Sequence, residues 1–373
     1  MRRADPLKKK LLAVLCVLSL AIGIPSISKE QAKDPYIRPE AVREIYRVRD
    51  LLFNGQYEET AAECRRAQAQ YPDLLVWHFA AMLAPQARML ELHDYSLEKG
   101  YLAEWNKMTE LFKRIQSKRT LFFYDHLCMG GGLGIYGLHH ARARHFRKAF
   151  TIGYQALQEL GKAKDADPSN DDVYLGFGIY HYYRGVLSTR LKWLPFFSDD
   201  KARGMAELDR ARKGLFAEPL VDAAEMYLYK DEGKWTEGLK IARKLRAKYP
   251  QSNLAAQHEG FFLLRLGDYE TALREFDAVI AADPKNGSLY LYRGETLFRL
   301  NRVEEAESAY WKCINLGASD EYKAYSYYFL GLIAQARGDI ALAEKYWKEA
   351  LQLYPDYREV QQLIESARKG DQK

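Results

Sequence analysis

The chain has 373 residues, too many for one ordinary compact core and suited to two or three domains or to a single quasi-linear array. Hydrophobic residues make up 48%, enough to fill a continuous core, and 27 tyrosines dominate the aromatic content. The formal net charge is +6, but the first 28 residues hold five basic residues and one acidic; the remainder has 51 basic and 49 acidic residues, without the concentrated basic face a nucleic-acid binder needs.

Met1 to Ser28 reads as an export leader. Arg2, Arg3 and Lys8 to Lys10 precede an apolar run from Leu11 to Ile24, Pro25 breaks it, and the small Ser26 and Ser28 stand at −3 and −1 of a cleavage before Lys29. Leu15 before Cys16 is too large for lipoprotein processing. The 14-residue apolar run falls short of the roughly 17 to 25 residues that span a bilayer, so cleavage is the leading reading and an uncleaved inner-membrane anchor the alternative. In either case the basic end stays in the cytoplasm and the rest is expected in a bacterial periplasm or envelope. Cys64, Cys128 and Cys313 follow, far apart and odd in number, and read as small buried apolar residues rather than a disulfide framework.

Residues 38–218 carry irregular helical hairpins. Ala41 to Leu74 has Gly55 and Tyr57 at a turn, Ala67 on a second helix and Pro72 after it. Leu75 to Lys118 predicts two longer helices with a kink or break at Pro85 and a loop near Tyr95 to Gly100. Asp125 to Asp167 predicts a hairpin with an extended second helix that stops before Pro168. Asp171 to Gly214 predicts another, interrupted by an apolar insertion at 186–198. Trp193, Phe196 and Phe197 of that insertion, with Arg190 and Lys192 nearby, suit contact with a partner or a membrane surface, or a lid folded back on the array.

Residues 219–356 are periodic. The clearest unit, Asn253 to Asn286, has Gly260 on its first helix, the turn Gly267-Asp268-Tyr269, then Ala272, Phe276 and Val279 on the second helix and Pro284 after it. The pattern returns 34 residues on with Gly294, Asn301, Ala306, Tyr310 and Cys313, and a further 37 on with Gly331, Gly338, Ala343, Trp347, Ala350 and Pro355. One period earlier stand Gly233, Trp235, Gly238, Leu245 and Pro250. Small residues let two helix axes approach, the turn glycine tolerates positive φ, aromatics fill the grooves and proline ends the second helix. Tyr357 to Lys369 is amphipathic and reads as the polar-backed cap such arrays need.

This spacing resembles the tetratricopeptide repeat, a helix-turn-helix unit with a period of 34. The resemblance implies an all-α, right-handed α-solenoid of about eight hairpins, degenerate over 38–218 and regular in four units over 219–356, with a capping helix at 357–369. Gly130 to Gly134, Asp172 to Tyr183, Leu194 to Phe197 and Lys201 to Gly204 are similar, more narrowly, to a family of uncharacterised exported bacterial tetratricopeptide proteins, distantly akin to eukaryotic inclusion-body-clearance relatives. That likeness implies architecture and supplies no activity.

The candidate chemistry is sparse. Gly130 to Gly137 lacks the Lys-Ser or Lys-Thr of a phosphate loop, and helical spacing of Gly130, Gly134 and Gly137 favours close packing. His139, His140 and His145 are not spaced to share a helix face as metal ligands, and no metal or other cofactor is expected. The pairs Asp171-Asp172 and Asp199-Asp200 precede predicted helices and read as caps. No hydrolase, zincin, redox or nucleotide motif is present, so a non-catalytic scaffold is expected. The alternative is an envelope ligand-binding protein or enzyme with a central pocket near Gly130, His139 and His181.

In a tetratricopeptide hairpin the first helix lines the groove, which here selects Tyr227, Leu254, Gln257, Phe261, Leu291, Phe298, Tyr325, Tyr328 and Gln335. The set is aromatic and apolar, without the cations that clamp a terminal carboxylate, and suits an extended or helical protein segment.

Overall fold

In the computed structural model, which describes residues 36, 38–92, 96–142, 145–188, 200–214 and 217–370, helices follow one another as antiparallel pairs. The leader and the insertion residues Trp193, Phe196 and Phe197 lie outside the described residues. The pairs are α1 (Pro39–Phe53) with α2 (Tyr57–Gln70), α3 (Leu75–Leu92) with α4 (Glu98–Gln116), α5 (Phe123–Arg142) with α6 (Phe146–Ala166), and α7 (Tyr174–Ser188) with α8 (Lys201–Ala211). The series continues with α9 (Ala217–Glu232) and α10 (Trp235–Lys248), α11 (Asn253–Leu266) and α12 (Tyr269–Ala282), α13 (Gly287–Arg299) and α14 (Val303–Asn315), and α15 (Asp320–Ala336) and α16 (Ile340–Leu353). A single helix, α17 (Arg358–Gly370), closes the array by burying Val360 and Ile364 while Gln361, Gln362 and Glu365 face water. The solenoid of eight hairpins and a cap expected from the sequence is therefore present, without strands among the described residues.

The turns explain the period. Gly55, Gly233, Gly267 and Gly338 have φ of 75°, 73°, 89° and 83°, and Asn301 takes φ 60° at the equivalent place. Asparagine is the side chain best suited to that left-handed conformation after glycine. The small positions work with the aromatic ones inside each hairpin. A Cβ added to Gly260 would lie 3.0 Å from the Phe276 ring, and one on Gly294 would lie 2.6 Å from the Tyr310 ring; Gly331 meets Trp347 in the same way. These rings then reach the next hairpin, Phe276 stacking on Tyr292 at 5.7 Å and Tyr310 on Phe329 at 5.1 Å.

Three local expectations are refined. Helix α3 runs through Pro85 without a break, held by buried Leu83, Ala84 and Met89, although proline forgoes a backbone hydrogen bond there. Asp171 and Asp200 make ion pairs with Arg210 and Arg184, and it is Asn170 whose side chain accepts from the Asp172 amide. Cys64, Cys128 and Cys313 are buried free thiols, as their helical contexts suggest.

One feature exceeds a string of nearest-neighbour contacts. The first helices pack against the middle of the array. Phe53 stacks on Tyr249 at 5.2 Å, the Tyr249 hydroxyl donates to Asp50 at 3.2 Å, and the Gln251 amide donates to Asn54 at 3.4 Å. Arg88 donates to Asp283 at 2.7 Å across 195 residues of sequence. Asn286 and Ser288 both donate to the Glu91 main-chain carbonyl, each at 3.3 Å. Helices α1 and α3 thus have a second interface, with the α10–α13 segment, besides that with their sequence neighbours.

Candidate functional site

The first helices of the later hairpins carry rings and buried ion pairs that pack against one another. Phe261 is buried between Trp235, Phe262 and Tyr292, with the Lys230 ammonium 4.2 Å from its centroid and the Arg265 guanidinium 4.9 Å away. Lys230 also donates to the Tyr292 hydroxyl at 3.2 Å, which sits 3.1 Å from that of Tyr322. Arg265 grips Glu295 with two bonds of 2.6 and 3.0 Å, the bidentate geometry that compensates the desolvation of both charges.

The nine selected residues fall into distinct settings. Gln257, Phe261 and Leu291 are buried, while Tyr227, Leu254, Phe298, Tyr325, Tyr328 and Gln335 keep partial exposure. Phe298 rests on Phe329 at 5.5 Å. Tyr325 and Tyr328 both pack on Tyr357, at 5.0 and 5.4 Å, so they help seat the capping helix. Tyr227 and Leu254 open instead onto a cleft where the first hairpin meets the middle of the array.

That cleft encloses about 90 Å³ among α1, the α1–α2 turn, α3, α9 and the start of α11. Its walls are largely apolar, with Phe53, Leu83, Leu220 and Ala223 among them. Tyr57, Gln86 and Glu91 supply the polar groups. The Tyr57 hydroxyl donates to Glu91 Oε2 at 2.8 Å, and Arg88 Nη1 lies 3.6 Å from the same oxygen. Burial raises the Glu91 pKa above the usual carboxylate range, opposed by the Tyr57 hydrogen bond and by Arg88. Gln86 Nε2 and Glu91 Oε1 are buried without a hydrogen-bond partner. Sequence reasoning passed over both residues; the available signal was two polar side chains within the apolar stretch from Leu75 to Leu92.

The glycines and histidines of the centre have separate neighbours. A Cβ on Gly130 would lie 3.0 Å from Leu160 and one on Gly137 3.4 Å from the Ala149 carbonyl, which makes the glycines close-packing positions between α5 and α6. His139 pairs with Glu98 at 3.1 Å, and His181 with Glu207 at 2.5 Å. His140 is buried against the Tyr136 ring at 4.6 Å, and burial, with Lys148 and the two neighbouring histidines, lowers its pKa to about 4. Among the described residues no three His, Cys, Asp or Glu side chains are grouped to hold a metal, and no helix is long and apolar enough to cross a membrane.

Stacked hairpins, a recurring positive-φ turn, glycine-aromatic pairs and a terminal cap define a helical-repeat solenoid. Residues 263–312 and 324–357 each match a family model for the tetratricopeptide repeat. These matches support assignment of the chain to the tetratricopeptide-repeat superfamily, whose members generally serve as non-catalytic frames for protein-protein interaction. Comparison with curated proteins gives no sequence match. Among solved structures, the APC/C hetero-tetramer Cut9-Hcn1 has a chain 13% identical with a TM-score of 0.61, over 97% of this chain and 64% of that one. Pseudomonas aeruginosa PilF is 17% identical with a TM-score of 0.43, over 61% of this chain and 93% of its own. MamA from Desulfovibrio magneticus RS-1 is 18% identical with a TM-score of 0.36, over 47% and 97%. At these identities the likeness to Cut9-Hcn1 is one of fold alone.

Proposed function

We propose that this protein is an exported scaffold of a bacterial cell envelope that holds an extended or helical segment of another protein against its inner face. The observation that carries this reading is the partial exposure of Tyr227, Phe298, Tyr325 and Tyr328 on the first helices of three hairpins. Rings of this kind bind by stacking and burial at small entropic cost. Support for export comes from the basic-apolar-small order of Met1 to Ser28. The insertion bearing Trp193, Phe196 and Phe197 is a second contact in this proposal, to the partner or to a membrane surface.

The test is crosslinking in the native host followed by affinity purification and mass spectrometry, comparing wild type with the Tyr325→Ala, Tyr328→Ala double variant. Since both rings also seat Tyr357, Tyr357→Ala is the control that loosens the cap and leaves the two rings in place. An envelope protein lost from the double variant and retained by the control supports the proposal. Equal recovery from all three chains, or equal loss from both variants, overturns the role given to Tyr325 and Tyr328.

A further inference from the structure

Helix α6 leaves the side away from α5 uncovered. Ala149, Ile152, Ala156 and Leu160 are buried, and a Cβ on Gly130 or Gly137 of α5 would touch Leu160 or Ala149, so that side is committed to the hairpin. Opposite stand Phe150 and Tyr154, 77% and 58% exposed, the most exposed large apolar side chains among the described residues. They lie one turn apart, and Arg147 precedes Phe150 by three positions on the same side. A Cβ on Gly153 or Gly161, which border this side, would meet nothing within 4 Å, so no neighbouring element walls it in. The charge there is one-sided. From His126 to Gln158 the sequence has no Asp or Glu but has Arg142, Arg144, Arg147 and Lys148. Among the described residues neither Arg147 nor Lys148 makes an ion pair; Lys148 lies over the Tyr136 ring at 5.9 Å. Glu98 of α4 is taken by His139 at 3.1 Å, Glu159 is taken by His126 and Lys162 at 2.7 and 2.6 Å, and Asp165 stands near the far end of α6.

An anionic partner answers this charge. A protein segment held through rings needs a groove for its own side chains, and a nucleic acid needs cations tracked along its backbone. An open helix side with two rings, and cations at one end, offers neither. It matches a bilayer interface, where aromatic rings settle among the head groups and Arg and Lys reach the phosphates. We propose that the exposed side of α6 is a docking surface for an anionic phospholipid membrane, with Phe150 and Tyr154 entering the head-group region and Arg147 and Lys148 meeting lipid phosphates. The helix lies on the membrane and does not cross it, since the side facing α5 stays packed. This surface is separate from the insertion and from Tyr325 and Tyr328, and it does not depend on the scaffold function proposed above.

The test places an environment-sensitive nitrobenzoxadiazole fluorophore on Gly153→Cys in the full chain, where the added side chain has open space. Cys16→Ser removes the leader thiol, and Cys64, Cys128 and Cys313 are buried, so the label goes to α6. Because the probe is local, attachment through Met1 to Ser28 or through the insertion does not by itself move it. With phosphatidylcholine vesicles containing phosphatidylglycerol the emission is expected to shift to the blue and brighten, and with phosphatidylcholine alone to stay as in buffer. Phe150→Ser with Tyr154→Ser is expected to lower vesicle affinity about tenfold or more, and Arg147→Gln or Lys148→Gln about fivefold each, whereas Phe150→Trp retains it. Added salt is expected to weaken binding by the wild type. All four positions are exposed, so the variants are expected to melt with the wild type. No shift on the anionic vesicles, an equal shift on the neutral ones, or affinity undiminished by loss of both rings overturns the proposal. A larger response to poly-glutamate or single-stranded DNA than to the vesicles also overturns it, and assigns this side of α6 to an acidic protein or a nucleic acid. Tyr325 and Tyr328 lie on α15, so failure here and failure of partner capture are read separately.

Discussion

Gly267 and Asn301 occupy the same turn in successive repeats, at φ 89° and 60°. A β-carbon in that region costs about 1–3 kcal/mol unless the residue is Asn or Asp, so Gly267→Ala is expected to lower unfolding free energy by about 1–2 kcal/mol and Asn301→Gly to raise it by a few tenths, both measured by urea denaturation. His258 supplies a pH-dependent counterpart. It is buried, its Nδ1–H donates to the Leu254 carbonyl at 2.9 Å, and burial followed by the Lys230 charge lowers its pKa to about 3. In the unfolded chain it titrates near pH 6.5, so the unfolded state binds the extra proton as pH falls and stability declines from about pH 6.5 downward. His140, lowered to about 4, acts in the same direction. Glu104 enters later: burial raises its pKa, but hydrogen bonds from His78 and Lys107 outweigh that and hold it at about 2, so its contribution is full above about pH 4.5 and lost as pH falls toward 2. His258→Phe is expected to flatten the stability profile between pH 6 and 4.5 by about one proton in denaturant titrations, leaving the loss below pH 4 in place. An unchanged slope would contradict burial of an uncharged imidazole.

At the scale of the hairpin, the periodic half was legible because each structural need has a residue type that answers it. Glycine recurs where a ring arrives, at Gly260 under Phe276 and Gly294 under Tyr310, and these positions repeat at one spacing. Gly294→Leu is expected to destabilise by roughly 1–3 kcal/mol or more, since the Tyr310 ring must leave its site, and Gly294→Leu with Tyr310→Ala to recover part of that loss in a double-mutant cycle. The earlier hairpins were read more coarsely. Their boundaries followed from Pro72, Pro168 and the turn glycines, but Pro85 suggested an interruption where tertiary packing keeps α3 continuous. The site was less legible. Spacing along a helix names one face, which picked out Phe261 and Leu291, but it does not reveal that packed neighbours bury them. Gln86 and Glu91 were invisible because their meaning arises only when α9 and α11 arrive from far along the chain.

For the molecule as a whole, the contacts of α1 and α3 with the α10–α13 segment change how local damage spreads. In an open array each hairpin touches only its neighbours, and stability is close to a sum of local terms. Phe53 sits at the added junction, nearly buried and stacked on Tyr249. Phe53→Ala is expected to cost about 3–5 kcal/mol, and hydrogen exchange should quicken both in α1 and around 249–254. Exchange confined to the first hairpin would mean that the junction contributes little.

The same junction sets a timetable for synthesis. Arg88 leaves the ribosome 195 residues before Asp283, which at about 5–20 residues per second is a wait of roughly 10–40 s. During that interval the newborn α1–α3 segment holds apolar surface meant for helices not yet translated. A cellular holdase, or passage through a translocon before folding, would have that window in which to act.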